Sequence, residues 1–109
     1  MNIFYTSIII IMDKYNKKIL HYKDKNLFLI FYSMSCGFSV NAINLLKEKN
    51  VSFKGYDIDK IKGGIDKILY YFNQHKNITG FSESHKTKPI SFYKGKFVGG
   101  YSDLKLLLK

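Results

Sequence analysis

Six consecutive apolar or aromatic residues, Leu27-Phe-Leu-Ile-Phe-Tyr32, leave this chain few ways to fold. A short run that is apolar on both faces reads as a central strand covered on each side. After Ser33-Met-Ser35 comes the only cysteine, Cys36. Val40 to Lys49 then shows a helical pattern, with Val40, Ile43, Leu45 and Leu46 apolar and Asn41, Asn44, Lys47 and Lys49 polar. Val51 to Ile58 alternates like a half-buried strand. A strand, a helix and a second strand in that order predict a parallel crossover.

The rest of the chain can be laid out around that unit. Ile65, Ile68, Leu69 and Phe72 follow Gly63-Gly64 at the spacing of a helix face, and the polar stretch Gln74 to Lys86 predicts a loop. Ile90–Tyr93 and Lys96–Val98 flank Lys94-Gly95 and predict a hairpin. Gly99-Gly100 breaks the second strand, and Ser102 or Asp103 is expected to cap a last helix running to Lys109. Upstream, Phe4, Ile8, Ile11, Tyr15, Ile19 and Tyr22 recur at helical steps, most clearly over Met12 to Tyr22. The expectation is an α/β fold, a four-stranded mixed sheet flanked by helices. Residues 1–22 would form an N-terminal helical extension packed on a domain of residues 23–109.

Cys36 falls where a strand gives way to a helix N-terminus. Unsatisfied N–H groups and the positive end of the helix dipole favour thiolate over thiol, and the thiolate is the nucleophile and metal ligand. An accessible thiol with a pKa below the ordinary value is therefore expected. A single cysteine forms no internal disulfide, which points to a reducing, cytoplasmic setting. The apolar run Ile3 to Met12 is too short to span a bilayer and lacks a basic leader, so neither a membrane anchor nor a cleaved signal is expected. The net charge of +10 comes from lysine alone, without arginine. Those lysines are spread from Lys14 to Lys109 with no dense run, a pattern that argues against nucleic acid as a partner. His21, His75 and His85 match no zinc-ligand spacing, although His85, beside Thr87, is placed to line a site near Cys36.

Three separated motifs resemble the glutaredoxin family of the thioredoxin fold. Cys36-Gly37-Phe38-Ser39 resembles the CGFS active-site motif of monothiol members. Thr87-Lys88-Pro89 resembles the family's Thr-x-Pro with a cis proline, and Gly99-Gly100-Tyr101-Ser102-Asp103 its glutathione-binding Gly-Gly-x-x-Asp. The resemblance implies Cys36 as the catalytic residue, with Thr87, Lys88, Pro89, Gly100, Tyr101, Ser102 and Asp103 around glutathione. Ser33 is expected among the glutathione-binding residues too, as a neutral hydrogen-bonding group where many members carry a lysine for the glycine carboxylate, leaving Lys86, Lys88 or Lys67 as the available cations.

Two activities follow from the resemblance. One is thiol–disulfide exchange, removing glutathione from glutathionylated or disulfide-containing proteins, an enzymatic function expected to be weak. The other is a [2Fe–2S] cluster bridging a homodimer, ligated by Cys36 and glutathione and passed to iron–sulfur acceptor proteins. The alternative outside both is a redox-inactive adaptor acting through protein contacts.

Overall fold

The computed structural model describes residues 11–109. The helix face expected to begin at Phe4 and Ile8 lies partly outside them. Asp13 opens helix α1 (Lys14–His21) as its N-cap, its carboxylate accepting from the N–H groups of Tyr15 and Asn16. Strand β1 (Phe28–Tyr32) follows, then helix α2 (Gly37–Glu48) and strand β2 (Phe53–Asp57). A 3₁₀ turn (Ile58–Lys60) leads to helix α3 (Gly64–Gln74) and the short helix α4 (Lys76–Thr79). Strands β3 (Ile90–Tyr93) and β4 (Lys96–Gly99) form a hairpin before helix α5 (Tyr101–Leu107).

The sheet order is β2-β1-β3-β4, with β1 parallel to β2 and antiparallel to β3. This is the thioredoxin-like mixed sheet. As the unbroken apolar run requires, β1 is internal and buried from Phe28 to Phe31. Leu29 and Phe31 point into one core with Tyr15, Ile68, Phe72 and Phe92; Phe28 and Ile30 face another with Ala42, Leu46 and Leu104. Lys94 and Gly95 both have positive φ, 51° and 78°, the type I′ geometry that suits a two-residue hairpin. Among the described residues no helix is long and apolar enough to cross a membrane.

Two segments differ from expectation. The predicted loop Gln74 to Lys86 contains the last residue of α3, the whole of α4, and a buried anchor, Phe81, whose ring lies 5.4 Å from Phe72 and 4.9 Å from Phe97. Four helical residues are too few to show a period, and one aromatic among polar residues does not register as core. The last helix starts two or three residues earlier than expected on the basis of a Ser102 or Asp103 cap. Gly100 is the N-cap, and Asp103, at the third helical position, reaches back to accept its N–H at 3.1 Å.

Candidate active site

The site begins at the C-terminal end of β1, where Ser33 makes the turn into α2. Ser33 is fully buried. Its N–H donates to Ser39 Oγ at 3.1 Å, and its carbonyl accepts the Cys36 N–H at 3.0 Å. Its hydroxyl donates to Asp59 Oδ2 at 2.5 Å and shares a 2.8 Å hydrogen bond with Ser35. The residue expected to face the glycine carboxylate of glutathione is thus turned inward, its hydroxyl committed to an anion. Asp59 had no part in the sequence argument. It sits 26 residues away on the 3₁₀ turn, and only the parallel pairing of β1 with β2 brings it here.

Cys36 is the N-cap of α2 and is partly exposed. Its sulfur lies outside strict capping geometry but within electrostatic reach of the first-turn N–H groups. The Ser39 N–H is the strongest influence lowering its pKa; burial opposes it, while the Phe38 N–H, the Ser39 hydroxyl and the Lys88 ammonium add to the lowering. The net shift is downward. In the protonated form Sγ–H donates to the Lys88 carbonyl at 3.5 Å. The thiol therefore has an acceptor when neutral and donors when charged.

Ser39 holds both ends of this arrangement. It is fully buried, accepting from Ser33 and lending its hydroxyl to Cys36. Ser39→Ala is expected to strand the buried Ser33 N–H, costing about 1–3 kcal/mol. It also raises the Cys36 pKa, since one of the lowering contacts is lost. Urea unfolding and the pH dependence of alkylation read the two effects separately.

Beside the thiol runs a shallow groove of about 210 Å³. One wall is Thr87, Lys88 and Pro89, with the Lys88–Pro89 bond cis. The other is Gly100, Tyr101, Ser102 and Asp103, and Phe38 and His85 close the ends. His85 Nε2–H donates to the Pro89 carbonyl at 3.1 Å, joining α4's following segment to the proline turn. The absence of a side chain at Gly100 suits this closeness: a Cβ there would meet His85 Cε1 at 3.3 Å, tight enough that the ring would have to shift. Ser91 Oγ donates to the Gly99 carbonyl at 2.7 Å, pinning the start of the second wall to β3. The expected site residues gather around Cys36 and this groove, Ser33 through its backbone alone, its hydroxyl being turned to Asp59. Gly37 and Phe38 are exposed on the first turn of α2, with Met34 exposed just before it.

Residues 28–98, more than half of the chain, match the glutaredoxin family profile. A probable glutaredoxin of Acanthamoeba polyphaga mimivirus is 42% identical over 74% of this chain and 76% of its own length. Glutaredoxin-2 of Schizosaccharomyces pombe is 32% identical over 72% of this chain and 64% of its own length. Among solved structures, a dithiolic glutaredoxin of Trypanosoma brucei brucei superposes with a TM-score of 0.68 at 26% identity, covering 89% of this chain and 88% of that one. The profile match over more than half of the chain and the 42% identity to the mimivirus protein show that the chain belongs to the glutaredoxin family.

Proposed function

We propose that the protein is a monothiol glutaredoxin that exchanges glutathione through Cys36. The observation that supports this best is a thiol with a lowered pKa, N-capping α2 beside a groove walled by residues 87–89 and 100–103. The Cys36 thiolate attacks the glutathionyl sulfur of a mixed disulfide, the S–S bond breaks, and the released substrate thiolate takes up a proton. A glutathione thiolate then attacks the new Cys36–glutathione disulfide. Cys36 is freed, and glutathione disulfide leaves with the two electrons' worth of oxidation. No second cysteine is required, and Ser39 cannot intercept the intermediate. Exchange of this kind fits a cytoplasmic protein kept reduced by glutathione.

In this reading glutathione lies along the groove. The Lys88 backbone flanks its cysteine, and Ser102 and Asp103 hold its polar end. Since Ser33 is committed to Asp59, the cation nearest the groove is Lys88. Lys88→Ala is expected to weaken glutathione binding by about 1–2 kcal/mol, the scale of one partly exposed charged hydrogen bond, as read by calorimetric titration.

A [2Fe–2S] cluster takes four thiolates. One chain offers Cys36 alone, and among the described residues no three His, Cys, Asp or Glu side chains gather as a metal site. Cluster binding would thus depend on ligands from outside the chain, while exchange needs only the thiol present. Turnover of a small glutathionylated disulfide by the purified protein, with glutathione as reductant, tests the proposal. Activity proportional to protein is expected; a folded, inactive protein would leave the adaptor alternative standing.

A further inference from the structure

Lysines that are scattered in the sequence meet on one face of the fold. Lys14 Nζ stands 5.2 Å from the Tyr15 ring centroid, and Lys67 Nζ stands 5.2 Å from that of Tyr71. The two rings are 6.3 Å apart, so α1 and α3 present these pairs side by side. Lys62 joins them around a pocket of about 470 Å³ that also takes in Ile61 and Gly63. The pattern continues onto β2, where Lys18 lies 5.9 Å over Tyr56 and Lys54 lies 5.5 Å over Tyr22. Phe31 links the halves, stacked on Tyr56 at 4.9 Å and edge-on to Tyr15 at 5.9 Å.

The five lysines of this strip face three carboxylates on the same elements, Asp13, Asp57 and Asp66, so the strip keeps a net positive charge. Among the described residues none of these five lysines forms an ion pair with a carboxylate. Asp13 is occupied capping α1, and Asp57 accepts the Asp59 N–H. Asp66, in the first turn of α3, is the remaining carboxylate on the three elements. Tyr70, next to Lys67, is 56% exposed.

We propose that this strip binds single-stranded nucleic acid, its lysines on successive phosphates and exposed Tyr70, with half-buried Tyr71 and Tyr22, under the bases, while buried Tyr15 only supports the strip from the core. An acidic protein would match the charge and leave the rings unused, and a duplex keeps its base faces covered. Stacking of a base on an aromatic ring outweighs an exposed ammonium over the same ring. The ammonium displaced by a base then lies close to the neighbouring phosphate. None of the strip's residues lines the groove beside Cys36, so the proposal stands apart from the redox reading.

Fluorescence anisotropy with a labelled oligothymidylate of about twelve nucleotides tests it, that length lying within the roughly 4–16-nucleotide footprint of single-strand sites. The logarithm of affinity should fall linearly with the logarithm of salt, with a slope of about −3 for four or five phosphates neutralised. Lys14→Gln/Lys67→Gln should flatten that slope by about 1.4. Tyr70→Leu should weaken binding to the oligothymidylate but not to an abasic sugar–phosphate strand of equal length. Lys47→Gln/Lys49→Gln, at the C-terminal end of α2, removes the same charge elsewhere and should leave the slope unchanged. An unchanged Cys36 alkylation profile shows that each variant is folded. No binding, equal binding of the abasic strand, of a duplex or of polyglutamate, or equal loss in the α2 variant would each overturn the proposal.

Discussion

Cys36→Ser is expected to abolish glutathione turnover while leaving the protein folded. The substitution removes the only thiol, and a serine hydroxyl at this N-cap has no comparable nucleophilicity near neutral pH. Serine is among the preferred N-cap residues, so α2 should be at least as stable, by a few tenths to about 1 kcal/mol. The two consequences therefore separate: activity falls to the uncatalysed rate while the urea midpoint holds or rises. Residual turnover in the variant would move the chemistry away from Cys36.

The largest stability loss is expected at Phe31. Its ring lies in the middle of β1 and touches four others, stacked on Tyr56 and edge-on to Tyr15, Phe72 and Phe92. Phe31→Ala leaves a cavity between α1, α3 and the sheet and is expected to cost about 3–5 kcal/mol. Domains of this size are stable by roughly 5–15 kcal/mol in total. The melting temperature should drop by roughly 12–40 °C, at some 4–8 °C per kcal/mol for a domain near this length. Calorimetry checks the figure. Below the shifted transition the Cys36 thiol should titrate as in wild type, because the turn Ser33–Cys36 is tied to α2 and Asp59 rather than to Phe31.

What the sequence made legible follows from the range over which each signal acts. The position of β1, the Lys94-Gly95 turn and the strand–cysteine–helix junction are local patterns, and each is found where the residues place it. The three motifs Cys36–Ser39, Thr87–Pro89 and Gly99–Asp103 are also local, and the fold brings them to one groove. Contacts between side chains far apart in sequence were hidden. Asp59 approaches Ser33 only across paired strands, and Phe81 joins the core from a segment that reads as polar. The lysine and tyrosine strip draws on α1, β2 and α3, so its lysines look dispersed until the elements pack. The burial of Ser33 is of the same kind, since the hydrogen bonds to Ser39 and Asp59 that hold it inward join it to residues outside its own turn.

In the proposed function, Cys36 is a lowered-pKa thiol that attacks glutathionyl sulfur. The most direct test of that role is the rate at which the purified protein forms a mixed disulfide with glutathione disulfide, followed by intact mass as a function of pH. A depressed pKa means the proton is lost earlier as pH rises, so the rate should level off below the free-thiol value of about 8.5. One glutathione should add per chain, at Cys36, and be removed by excess glutathione. A rate still climbing through pH 9 like that of a free thiol, or no adduct on a folded chain, would contradict that role.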